Sequence, residues 1–236
     1  MKELHNTVRS GMRVETSVED RDPVRIEHGP ELHLVGGKAT PWWEVDYKHY
    51  VEAAIWVAGC NPRCPQCRNS AVTYDNAGRP LTPLEAAKKI ISLHVLYRTR
   101  GLAISGGEPT INRRRPVGFF KYLRRMAKPR TRRHLDSNGT VLTRDYIDEL
   151  VDAGCNNTGV ESKYVCLETY IEITGLKDPD QAREYMDTAW KAIEYIDEYY
   201  RDEVYLGIGL VYSPALVTID EIAEAGRRIY RVNPKI

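Results

Sequence analysis

The sequence predicts an α/β domain built on a parallel sheet, and three observations carry that expectation. From about residue 50 onward, short apolar runs alternate with amphipathic stretches five times over. Two of the amphipathic stretches open on a reciprocal capping box. The Cys-rich, Gly-rich and acidic clusters fall just after the apolar runs, at the carboxyl ends of strands where parallel sheets gather their functional residues.

Taken in order, residues 53–58 form the first apolar run and lead into a cysteine-rich segment. Thr82 caps the first helix, with Pro83 at its first position and Glu85 closing the capping box. Its apolar stripe is Ala87, Ile90, Ile91 and Val95. Residues 102–105 form a second strand, ending at Gly106-Gly107-Glu108-Pro109. Residues 117–126 read as a helix. His134-Leu135 leads into Asp136-Ser137-Asn138-Gly139 at the end of a third strand. Thr143 caps a helix that Gly154 stops. Residues 157–160 form a fourth strand, ending at Glu161-Ser162-Lys163. A long helix runs from about Asp180 to Tyr200 with Ala182, Met186, Ala189, Ile193 and Ile196 as its buried stripe. Residues 204–211 form a fifth strand, ending at Tyr212-Ser213-Pro214, and Thr218 and Glu221 box the start of a helix to about Val232. Parallel neighbours joined through helices imply right-handed crossovers.

Residues 1–50 read as an N-terminal extension packed on a domain of residues 51–236. Alternation over residues 31–35 before Gly36-Gly37 predicts a short strand and turn, and Trp42 and Trp43 are expected to pack the arm down. With 236 residues there is enough chain for one α/β core. A formal net charge of +1 points to neither nucleic acid nor membrane. No apolar run is long enough to span a bilayer. The polar first thirteen residues lack a signal-peptide core. Five cysteines, three of them clustered, do not form a disulfide framework, which predicts a reducing, cytoplasmic setting.

Those three, Cys60, Cys64 and Cys67, have the spacing C-x3-C-x2-C. Thiols so close in sequence converge on one centre at small loop-closure cost. A structural zinc site takes four protein ligands. Three thiolates on a four-iron cluster leave one iron open to a small chelating molecule. The residues alone leave alternatives: a zinc knuckle with Cys155, Cys166 or His94 as fourth ligand, or a plain iron–sulfur electron carrier.

Residues 58–70, A-G-C-N-P-R-C-P-Q-C-R-N-S, resemble the cluster loop of the radical S-adenosylmethionine (SAM) superfamily. Asn61, Pro65 and Asn69 resemble the branch of pyruvate formate-lyase (glycyl radical enzyme) activating enzymes, with Gln66 standing where that branch carries an aromatic residue. The resemblance extends over about residues 53–232. It implies a partial (β/α) barrel of five to six parallel strands with helices outside. It also implies a [4Fe-4S] cluster on Cys60, Cys64 and Cys67, whose open iron is chelated by the amino and carboxylate groups of SAM. SAM would be reductively cleaved to methionine and a 5′-deoxyadenosyl radical that takes a hydrogen from substrate.

The remaining motifs take their roles from the same resemblance. Gly106, Gly107, Glu108 and Pro109 resemble the G-G-E motif that binds the SAM amino group, against the alternative of a plain turn. Asp136, Ser137 and Asn138 resemble L-D-T-N-G, near the SAM carboxylate and, in some members, a monovalent cation; the alternative is an Asx turn. Glu161 and Lys163 resemble D-L-K, with Lys163 pairing to a carboxylate or the substrate backbone, against an exposed ion pair. Residues 211–217 resemble a segment that faces the adenosyl group. The implied partners are a flavodoxin- or ferredoxin-type reductant and a macromolecular substrate, protein or peptide ahead of RNA or a small molecule. The exposed cluster implies low-oxygen conditions.

Residues 113–133 are strongly basic, with no acid between Glu108 and Asp136. They read first as a solvated face, and second as a docking patch for an acidic protein surface or RNA. At the other end Asn233-Pro234 stops the last helix, and Lys235 and Ile236 are too few for the sixth strand. The fifth strand is therefore expected to be an edge, unless residues 32–35, a second subunit or further chain covers it.

Overall fold

The computed structural model describes residues 22–26, 52–74 and 79–235. The expected strand over residues 31–35 and the packing of Trp42 and Trp43 lie outside these residues. Seven strands form one sheet: β1 (Asp22–Ile26), β2 (Glu52–Val57), β3 (Arg79–Leu81), β4 (Gly101–Gly106), β5 (Arg132–Ser137), β6 (Asn157–Lys163) and β7 (Tyr205–Leu210). Their order is β3-β1-β2-β4-β5-β6-β7. The last five are mutually parallel, while β1 pairs antiparallel with both β2 and β3.

The helices are α1 (Ser70–Thr73), α2 (Pro83–Tyr97), α3 (Arg114–Met126), α4 (Arg144–Ala153), α5 (Leu167–Thr174), α6 (Pro179–Tyr200) and α7 (Ile219–Val232). A single 3-10 turn, Pro109–Ile111, follows β4. Both predicted capping boxes form, at Thr82 with Glu85 and at Thr218 with Glu221. Thr143 also sits at its helix start, but its hydroxyl donates to Asp145 instead of accepting a backbone N–H.

Side chains alternate across each strand. Ile55, Leu102, Leu135, Val160 and Leu206 lie in one core with Ile90 of α2, Phe120 of α3, Ile147 of α4, and Trp190 and Ile193 of α6. The opposite face carries Glu52, Gly101, His134, Gly159 and Gly207, which are the residues alternating with those core positions. That face is polar and rich in small residues, as expected of the inside of an open barrel.

Two sequence expectations need correction. Val95 is 72 % exposed; α2 buries Ala86, Ala87, Ile90 and Leu93 instead. Two residues on from Leu93, Val95 lies about 200° round the helix and faces away from the sheet. Helix α3 begins at Arg114, three residues before the predicted start, since Pro116 in the first turn has no N–H to place. Five short elements escaped the sequence reading: β1, α1, β3, the 3-10 turn and α5.

Five strand-then-helix units are present, as expected. Among the described residues β7 pairs with β6 alone and no sixth parallel strand follows it. The N-terminal strand β1 lies at the far side of the sheet, next to β2. No helix of the described residues is long and apolar enough to cross a membrane.

Candidate active site

The cysteine loop leaves the carboxyl end of β2 and is pinned at both ends by backbone. Gly59 N–H donates to the Thr73 carbonyl at 2.9 Å. Arg63 N–H donates to the Thr174 carbonyl at 3.1 Å, and Gln66 Nε2 to the Ile173 carbonyl at 3.0 Å. Helix α5 thus carries the middle of the loop, although nothing in its sequence announces a cap: its N-cap is Cys166, which supplies no side-chain acceptor. The one signal is Gly175, whose φ of 69° closes the helix left-handed. Cys60, Cys64 and Cys67 are all half-buried. Burial first, then the Glu108 carboxylate and Cys64, push the Cys60 thiol up to about 12, while Lys163 opposes them. Cys64 is likewise raised, by burial, with Cys67 and Glu161 adding and Lys163 opposing.

The Gly106-Gly107 pair is needed for contact with this loop. Gly107 N–H donates to the Val57 carbonyl at 2.8 Å and Glu108 N–H to the Gly59 carbonyl at 2.7 Å. A Cβ on Gly107 would lie 2.0 Å from the Gly59 oxygen, and Gly106 has a φ of 110°.

Glu108 is only 3 % exposed. Its Oε1 accepts from Thr110 N–H at 3.0 Å, Thr110 Oγ1 at 2.5 Å and Ser137 Oγ at 2.9 Å. Oε2 accepts from Asn138 N–H at 2.6 Å. Burial raises its pKa, and these donors work against that rise. The carboxylate therefore staples the end of β4 to the end of β5. For it to accept from a ligand ammonium, a donor would have to be added or exchanged.

Asn138 continues the network. Its Oδ1 accepts from Thr140 N–H at 3.0 Å and Thr140 Oγ1 at 2.7 Å. Its Nδ2 donates to Asn61 Oδ1 at 2.9 Å and to Cys60 Sγ at 3.7 Å. Asn61 Nδ2 in turn donates to Thr140 Oγ1 at 2.6 Å. Three strand ends thus meet in one polar chain that reaches a cysteine sulfur. Asn61 and Asn138 were legible in the motifs; Thr110 and Thr140 were not.

Two charged groups project from the neighbouring strands. Lys163, at a bulge of β6 with φ 65°, ion-pairs with Glu161. Burial works against its charge, but Glu161, with Cys64 and Cys60 beyond, holds its pKa above the ordinary lysine value. Asp136 ion-pairs with His134, two residues back on the same face, at 2.8 Å; Nδ1 of the ring faces Asn157 Oδ1 at 2.5 Å. Burial would lower the His134 pKa, yet Asp136, Glu52 and Asn157 outweigh it and lift it to about 9. The ring is an imidazolium at neutral pH, with an acceptor at each nitrogen. The motif reading missed this histidine.

Three thiols on one loop are the donor set that a four-iron cluster with one open iron takes. Among the described residues no three His, Cys, Asp or Glu side chains converge closely enough to hold one metal ion. Neither Cys155 nor His94 stands beside the loop. Cys155 is buried before β6, bonded to the Asn157 carbonyl and Thr158 at the opposite end of the sheet. His94 is bonded to Thr99 at the far end of α2. Cys166 is bonded to Glu168.

An open parallel α/β layer with a three-cysteine loop at the carboxyl end of its first parallel strand defines a class. Residues 55–224 match the model of the radical SAM superfamily, and the chain belongs to that superfamily. A curated relative from Methanocaldococcus jannaschii, "Putative glycyl-radical enzyme activating enzyme MJ1227", is 24 % identical over 186 residues, 78 % of this chain and 71 % of that one. Among solved structures the chain is similar to SuiB of Streptococcus suis bound to S-adenosylmethionine, with a TM-score of 0.57 and 14 % identity over 78 % of this chain. It is also similar to the radical SAM methyltransferase TsrM of Kitasatospora setae, with a TM-score of 0.51 and 14 % identity over 80 % of this chain. The chain spans only 37 % and 36 % of those two proteins.

Proposed function

We propose that this protein is a radical SAM enzyme of the activating-enzyme kind, acting on a protein or peptide. A [4Fe-4S] cluster with SAM at its open iron supplies reductive cleavage of SAM and a 5′-deoxyadenosyl radical for hydrogen abstraction. The observation that carries the reading is the cysteine loop itself. Cys60, Cys64 and Cys67 would each hold one iron of the cluster, on a loop pinned to β4 and α5, with Asn138 donating to Cys60. The curated relative, named as an enzyme that activates another enzyme, supports a protein substrate. Reductive cleavage needs an electron donor, and a flavodoxin- or ferredoxin-type protein is the partner of that chemistry. The cytoplasm, at low oxygen, suits such a cluster.

The chain's own residues then divide the binding work. Gly106, Gly107 and Pro109 shape the turn that would receive the amino group of SAM, and Glu108 holds that turn against Ser137 and Asn138. Lys163 offers a charge to a carboxylate, steadied by Glu161. A monovalent cation beside Asp136 would share that carboxylate with His134. Residues 51–236 form the catalytic domain and residues 1–50 its extension.

Anaerobic reconstitution with iron and sulfide tests this. The wild type should turn brown, bleach on reduction and release 5′-deoxyadenosine slowly from SAM. Cys60→Ala, Cys64→Ala and Cys67→Ala should each abolish the cluster, while Cys155→Ala and Cys166→Ala should keep it. A colourless protein that retains zinc, or loss of iron in the Cys155 or Cys166 variants, would refute the assignment.

A further inference from the structure

Tyr170 carries a buried hydroxyl with no hydrogen-bond partner among the described residues. It lies on α5 and is fully buried. An orphaned buried hydroxyl is destabilising, so native proteins seldom keep one without a use. Its neighbourhood points to the use. Helix α5 is bonded to the cysteine loop through Thr174 and Ile173. Gly175, at its end, is so close to the loop that a Cβ there would lie 2.7 Å from the Arg63 carbonyl oxygen, one residue before Cys64. Burial raises the Tyr170 phenol, and the charges that add to the rise include Cys64 and Cys60. The hydroxyl is thus within electrostatic reach of two of the three sulfurs.

Cys60 already has a donor, Asn138 Nδ2 at 3.7 Å. Thiolate ligands gain negative charge density when an iron–sulfur cluster is reduced, so a donor aimed at them favours the reduced state and raises the potential.

We propose that Tyr170 donates a hydrogen bond to the iron–sulfur centre on its Cys64 side and, with Asn138 on Cys60, raises its reduction potential. Tyr170 is a tuning residue; it moves neither a proton nor an electron. The inference rests on the cluster assignment made above, and it explains an orphan that the apoprotein leaves unsatisfied. The donor would find its acceptor only once the cluster is in place.

The test is Tyr170→Phe, which removes the oxygen alone. In the reconstituted protein without SAM, the reduced fraction is followed by electron paramagnetic resonance in a potentiometric titration. At a fixed poise the reduced-to-oxidised ratio should fall about tenfold, the worth of one net hydrogen bond, or 59 mV for one electron. The Tyr170→Phe apoprotein should melt at the same temperature as wild type or higher, since the substitution removes an unsatisfied group. Replacing Tyr170 with 3,5-difluorotyrosine, a stronger donor, should shift the potential the opposite way. A Tyr170→Phe cluster with wild-type potential would overturn the inference and leave the function standing. So would a clear loss of apoprotein stability, because the hydroxyl would then have a protein partner. A wild-type protein that assembles no cluster would overturn the function, and this inference with it.

Discussion

Glu108 and His134 are charged side chains that the sheet holds away from water, and the fold stabilises them by different means. Glu108 remains inside because four donors from Thr110, Ser137 and Asn138 surround it. His134 remains charged because Asp136 and Asn157 present oxygen to both ring nitrogens. Its pKa of about 9 lies above the ordinary value of 6.5, so the folded state holds the proton more tightly than the unfolded chain. The resulting stability is complete below pH 6.5 and is lost as pH rises through 9. The loss is on the order of 3 kcal/mol across that window. Chemical denaturation of the apoprotein at pH 6 and pH 9.5 should show it, and His134→Gln should flatten the difference. An equal pH slope in the variant would show that the ring is neutral in the fold.

At the scale of elements, the short helix α5 matters more to the site than its eight residues suggest. Its carbonyls at Ile173 and Thr174 accept from the cysteine loop, and Gly175 lets the two backbones close. Gly175→Ala would place a Cβ 2.7 Å from the Arg63 oxygen at a φ of 69°. The expected cost is about 2 kcal/mol, a fall in Tm of about 4–8 °C, together with fewer irons bound per chain on reconstitution. Full iron content with wild-type Tm would mean that loop and helix are not coupled. The five parallel strands and the long helices were readable from sequence because apolar spacing and capping boxes report directly on them. Helix α5 was not, because it lacks a capping side chain and is short enough that tertiary contacts must hold it.

At the scale of the whole molecule, the sheet separates two surfaces. The cysteine loop, the Gly-rich turn and the ends of β5 and β6 lie at the carboxyl end. Helix α3 runs back from Arg114 beside that end to Met126, and β5 starts afresh at Arg132. The exposed cations Arg125, Lys128 and Arg130 of the basic run lie at the opposite end. Three other members of the run serve the fold itself. Arg113 pairs with Asp145 and Glu149, Arg124 Nη1 donates to the Asp152 carbonyl at 2.6 Å, and Arg133 is buried against the Gly154 carbonyl. Reversing Arg125, Lys128 and Arg130 to Glu should therefore leave SAM cleavage without substrate within about twofold, as for surface changes away from a site. Product assays on SAM alone check this, and a large loss would mean that the far surface communicates with the mouth.

The amino-acid sequence by itself determined the β-then-α order, the helix starts at Thr82 and Thr218, and the three clustered thiols. Each is written within a few neighbouring residues, where spacing and capping act without the rest of the chain. The placement of motifs after strands was legible for the same reason, since it depends only on order along the chain. Tertiary structure alone decided that Glu108 would staple two strand ends, that His134 would meet Asn157, that α5 would carry the cysteine loop, and that Tyr170 would have no hydrogen-bond partner among the described residues. The partners of Glu108 in β5 lie 29 and 30 residues away in sequence, and His134 and Asn157 are 23 apart. Such contacts form only when the sheet brings its strand ends together, and no local pattern specifies which groups will then face each other.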